Sequence, residues 1–156
     1  MENWFDLGPV NIAACLVAIL CGFIIGFERQ WNGKTAGIRT SILISLGACI
    51  FVLTGAYYWP GEGTVRTMGQ IITGIGFLGA GVIIARNGLV HGVTSAAVIW
   101  VLAGIGSLTG LGHYLAAIVL SFLTVLILVS ITYLERSMSK LKRGVHKDFD
   151  DGQENG

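Results

Sequence analysis

The chain has 156 residues, 53% of them hydrophobic and only 12% charged, where a soluble domain carries roughly a quarter. That balance excludes an ordinary water-soluble globule. The formal net charge of +1 gives no reason to expect nucleic acid as a partner. Five apolar stretches follow in order: Pro9–Phe27, Thr40–Tyr58, Met68–Ala85, Thr94–Gly110 and His113–Leu134. Each is near the ~20 residues that carry a helix across a hydrocarbon core of ~30 Å. An all-α polytopic bundle of five transmembrane helices is the expected architecture.

Before the first stretch, Glu2 and Asp6 stand where a cleaved signal peptide would be basic, so none is expected. Aromatic residues mark the ends of the spans as interfacial anchors: Trp4 and Phe5, Phe27 and Trp31, Tyr57 to Trp59, Tyr114 and Tyr133. Pro60 and Gly61 break the second helix. The fourth stretch is the shortest, which suits a small tilt or a partly re-entrant course. Residues 1–134 are expected to form the transmembrane domain, and 135–156 a short cytoplasmic tail without a folded C-terminal domain. The last helix is expected to continue through Glu135-Arg136, its basic Lys140 to Arg143 segment lying on anionic headgroups. The acidic end after Lys147 has too little apolar surface to fold.

Lys and Arg set the orientation. Arg29, Lys34, Arg39, Arg86, Arg136, Lys140, Lys142, Arg143 and Lys147 fall on one side, and Arg66 alone on the other. Such asymmetry places the N-terminus outside and the C-terminus in the cytoplasm.

Thirteen of the 23 glycines lie between Gly61 and Gly112, centred on Gly74-Ile75-Gly76-Phe77-Leu78-Gly79-Ala80-Gly81. In water each helical glycine would cost about 1 kcal/mol. At membrane depth small residues let two backbones approach, so Gly74, Gly76, Gly79 and Gly81 are expected to pack a helix-helix seam. A locally unwound helix lining a cavity is the competing reading. The spacing Gly74-x-Gly76-x-x-Gly79 also matches a dinucleotide fingerprint, but the strand before it and the acidic residue about 20 positions on are missing.

Charge at the membrane edge forms a second constellation. Glu28 and Arg29 close the first span and Arg39 opens the second; the turn between could bring Glu28 to Arg39. With Arg86 and the helix starts at Thr40-Ser41 and Thr94-Ser95, these arginines could make an anion site. Interfacial snorkelling, with Thr40 and Thr94 as plain N-caps, accounts for the same residues. On the opposite side Arg66 and Gln70, four apart, share a helix face. Cys15, Cys21 and Cys49 lie in apolar runs with no zinc spacing, so no metal or cofactor is expected. His91 and His113 sit in loops without an acid or base partner, and no enzyme is expected.

Gly26-x-Glu28-Arg29-Gln30 with Ala36-Gly37-Ile38-Arg39-Thr40 resembles the first signature of the MgtC/SapB family. Arg66-x-x-x-Gln70-x-x-x-Gly74 to Gly81 resembles the second, and Arg86-x-Gly88 with Gly92-Val93-Thr94 and Ala96-Ala97 the third. The likeness covers about Gly22 to Gly112. The family's Asp-Pro before the arginine matched by Arg66 is replaced here by Gly63-Thr64, with Glu62 one place earlier. Many relatives also carry a folded cytoplasmic domain beyond the last span. The resemblance implies a bacterial inner-membrane protein supporting adaptation to low magnesium, acid or host phagocytes. It implies regulation of another membrane protein such as the ATP synthase; membrane lipids and a second copy of the chain are further expected partners. Transport of Mg2+ or a small ion is the alternative, although no carboxylate lies within a span to hold Mg2+.

Overall fold

The computed structural model describes residues 8–86 and 89–137, and builds five helices with a short hairpin. Helix α1 spans Ile12–Trp31, α2 Ile38–Tyr58 and α3 Glu62–Gly81. Strands β1, Ile84–Arg86, and β2, Leu89–His91, pair antiparallel before α4, Val93–Gly110, and α5, Tyr114–Ser137. The all-α reading holds. The basic and acidic segments expected after residue 137 lie outside the described residues.

Four helices, α1, α2, α4 and α5, are long and apolar enough to cross a membrane. The fourth, expected to be the marginal one, qualifies at 18 residues. The less apolar helix is α3, which matches the others in length but carries Glu62, Arg66, Gln70 and six glycines. It begins six residues earlier than the hydrophobic run and ends four earlier, because the hairpin takes Ile84 and Ala85. Even so α3 runs the height of the bundle. Thr67 in its second turn meets Gly55 near the end of α2, and Gly79 in its last turn meets Ala96 near the start of α4. It is continuous from Glu62 to Gly81, so the locally unwound alternative is set aside.

The helix starts correct another expectation. Asn11 caps α1 by accepting from the Ala14 N–H at 3.2 Å. The caps of α2 and α4 are Gly37 and Gly92, so Thr40 and Thr94 fall inside their helices. Gln30 serves α2 from a distance, its Oε1 accepting from the Ile38 N–H at 3.2 Å. Gly92 has φ of 91°, and a β-carbon there would also run into the Val82 carbonyl, which fixes glycine at this turn.

The core is a three-helix centre. Cys21 and Ile25 of α1, Ile44 and Ala48 of α2, and Val98, Ile99, Leu102 and Ile105 of α4 are buried together. Ile71 and Ile75 of α3 and Val125 of α5 pack on its margin. Close backbone approach occurs here rather than along α3. A β-carbon on Gly22 or Gly26 would lie 2.7 Å from the Ile42 or Ile38 Cα. One on Gly106 would strike the Ser45 carbonyl, and one on Gly110 would lie 2.8 Å from the Cys49 carbonyl oxygen. Helix α2 is thus held between two small-xxx-small surfaces, Gly22/Gly26 and Gly106/Gly110.

The expected seam at Gly74, Gly76, Gly79 and Gly81 is not formed as one surface within the chain. At about 100° per residue these positions cannot share a face. Gly74 and Gly81, seven apart, lie on one side, and Gly76 on the other. Of the four, Gly79 alone meets a neighbour, at 3.7 Å from the Ala96 Cβ; added β-carbons on the other three would meet nothing within 4 Å.

Candidate functional site

At the end where α1 finishes and α2 and α4 begin, two charged side chains are taken into the bundle. Arg29 is 2% exposed and Glu28 8%. Arg29 lies one turn beyond Gly26 on the face that α2 and α4 cover. Its Nη2 donates to Ser95 Oγ at 2.7 Å, linking residues 66 apart. Glu28 Oε1 accepts from Asn32 Nδ2 at 2.8 Å, and the same amide donates to the Glu28 carbonyl at 3.0 Å. Among the described residues, four enclosed atoms have no hydrogen-bond partner: Glu28 Oε2, Arg29 Nε, Ser41 Oγ and Ser45 Oγ. The guanidinium therefore acts as an internal strut between α1 and the first turn of α4.

The structure brings together part of the expected edge constellation. Arg29 does meet the start of α4, but through Ser95; Thr94 is exposed. Glu28 turns to Asn32 in place of Arg39. Arg39 is exposed and forms no ion pair among the described residues. Arg86 ends β1, and its side chain lies outside the described residues. The sequence names Ser95 only as part of the α4 start beside Thr94, without a bond to Arg29, and gives Asn32 no role. Asn32 carried a signal, four residues after Glu28, whereas the pairing of Arg29 with Ser95 depends on how α4 docks.

At the opposite end, Arg66 and Gln70 do share a face, and that face borders a groove of about 1880 Å³ between α2, α3 and α4. The wall from α2 is apolar, with Leu43, Ile44, Ala48 and Phe51. The wall from α3 is a stripe of period four: Glu62, Arg66, Gln70, Gly74 and Leu78. Tyr58 and Trp59 stand at the mouth, and Ile99 of α4 lies deeper. Gly74, expected in a helix contact, borders this opening. A third surface is the remaining flank of α3. Gly69, Thr73, Gly76 and Ala80 are exposed there, and β-carbons on Gly69 and Gly76 would meet nothing within 4 Å.

A helical bundle with four membrane-length apolar helices, charge confined to its ends and a laterally open groove defines a multi-pass membrane protein. The MgtC family model matches residues 15–137, and the chain belongs to the MgtC family. It is a multi-pass protein of the bacterial inner membrane. Protein MgtC of Salmonella typhimurium strain LT2 is 46% identical over 99 residues, covering 64% of this chain and 42% of that protein. Escherichia coli K12 has a relative named putative magnesium transporter YhiD, 42% identical over 125 residues, covering 75% of this chain and 58% of its own length. Protein MgtC of Brucella abortus strain 2308 is 43% identical over 103 residues, with 65% and 43% covered. The chain spans about half the length of the curated relatives it matches. No solved structure matches it.

Proposed function

We propose that the chain is a non-enzymatic regulator that supports bacterial adaptation to low magnesium, acid or host-cell stress by docking laterally on another membrane protein. The observation that carries this reading is the exposed flank of α3, where Gly69, Thr73, Gly76 and Ala80 form a small-residue stripe and, among the described residues, β-carbons on Gly69 and Gly76 would meet nothing within 4 Å. In lipid, helices associate through close packing of small residues, and such a stripe allows backbones to approach. The family resemblance suggests the ATP synthase as the protein addressed, with a second copy of the chain as the other occupant.

The test replaces Gly76 and Gly69 by leucine, which adds bulk where the fold itself has none. Gly76→Leu should leave the protein at normal membrane abundance yet abolish its support of growth at limiting magnesium. A photo-reactive residue at position 73 should cross-link to an ATP synthase subunit. Full growth support by Gly69→Leu and Gly76→Leu would overturn the docking reading.

Transport is the second reading, favoured by the enclosed hydroxyls of Ser41 and Ser45 in the first two turns of α2, which have no hydrogen-bond partner among the described residues. It also draws on the name of the Escherichia coli relative. A hydrated cation would need oxygen donors along such a path. Flux of Mg2+ through the purified chain in sealed vesicles, without any other protein, would establish transport over regulation.

A further inference from the structure

We infer that the groove between α2, α3 and α4 is a binding site for one anionic phospholipid, with its headgroup on Arg66 and Gln70 and an acyl chain running inward along α2. The inference does not depend on the docking reading, which concerns the other flank of α3. Its first support is the grading of the α3 stripe. Positions 62, 66 and 70 are polar, and positions 74 and 78 are glycine and leucine, so one wall changes character along its length. The facing wall of α2 is apolar from Leu43 to Phe51, with Thr40 at its far end.

Charge is the second support. Arg66 lies one turn inside α3 and forms no ion pair among the described residues, Glu62 included. Its guanidinium offers a planar fork of donors suited to a phosphate diester, and the Gln70 amide adds a donor one turn deeper. Tyr58 and Trp59 at the mouth set this end at the membrane-water boundary. Depth is the third support. From Arg66 to Leu78 is twelve residues, about 18 Å of helix, which matches the roughly 15 Å that one leaflet of a ~30 Å core provides. The groove is also larger than the ~300–1,000 Å³ of ordinary small-molecule sites, at about 1880 Å³. A two-chain phospholipid occupies much of such a space, whereas a free phosphate would leave most of it empty.

The experiment is native mass spectrometry of the purified full chain titrated with phosphatidylglycerol or phosphatidylcholine, with a photo-activatable phosphatidylglycerol as a second readout. The expected result is one tightly held phosphatidylglycerol, bound at least tenfold more strongly than phosphatidylcholine. Arg66→Gln should remove that preference and Arg66→Lys restore part of it. Arg39→Gln, at the other end of the bundle, should leave it unchanged. The photolipid should label the parent chain between residues 43 and 51, a readout that stands even if Arg66→Gln fails to fold. Equal affinity for both headgroups, retained selectivity in Arg66→Gln, or no labelling of 43–51 would each overturn the inference. Cross-linking of residue 47 to a second copy, in place of the lipid, would assign the groove to a dimer and would also overturn it.

Discussion

Arg29 and Arg39 look alike in sequence, both basic residues flanking the turn between the first two spans, and the structure separates them. Arg29 is enclosed and donates to Ser95, while Arg39 stays exposed. We expect Arg29→Met, which removes the bond to Ser95 and leaves that buried hydroxyl unpaired, to lower stability by about 1–3 kcal/mol. Ser95→Ala orphans one further guanidinium donor and should cost about 1–3 kcal/mol. Arg39→Ala should stay within about 0.5 kcal/mol of the parent, as surface changes do. Denaturation of the purified chain in detergent micelles measures all three. Arg39 then has a separate functional test. If Arg39→Lys and Arg39→Ala both lose growth support at low magnesium while present at normal abundance, Arg39 belongs to a working site. Parent-like growth in both would leave it a topological signal.

At the scale of the helix, glycine has three roles here that its frequency in the sequence does not distinguish. Gly22 and Gly26, with Gly106 and Gly110, admit α2 into the bundle; Gly74 borders the groove; Gly69 and Gly76 face outward. A side chain at Gly106 must displace the Ser45 carbonyl, so Gly106→Leu should lose the fold or cost at least the ~1–3 kcal/mol of an overpacked core. Gly104, two residues away, is exposed and would meet nothing within 4 Å. Gly104→Leu should therefore accumulate normally in the membrane. Thermal unfolding followed by size-exclusion chromatography separates these outcomes. Much of this contrast was legible, since Gly22-x-x-x-Gly26 and Gly106-x-x-x-Gly110 both have the spacing of a packed seam. The density of glycine in α3 suggests a seam there instead, although its 74, 76, 79 and 81 positions point in different directions around a helix.

At the scale of the whole molecule, the path of α3 bears on the topology. With α3 spanning the height of the bundle between the end of α2 and the start of α4, five passes put the two termini on opposite sides of the membrane. The nine-to-one distribution of Lys and Arg then proposes the N-terminus outside and the C-terminus in the cytoplasm. Reporter fusions at residues 64 and 145 should accordingly report opposite sides. The same side for both would remove α3 from the set of crossings and leave four spans.

Length, apolar runs and end-flanking aromatics determined by themselves that this is a bundle of membrane helices, because a bilayer imposes helix length and backbone satisfaction before any tertiary contact forms. The four-residue spacing of Arg66 and Gln70 determined that they share a face for the same local reason. Tertiary structure alone decided what each face meets. Periodicity marks a surface on a helix, but Arg29 finds Ser95, and α3 leaves one flank bare, only through the order in which α2 is clamped between α1 and α4. That order is set by packing between small surfaces distant in sequence, and no local pattern along one helix names its partner.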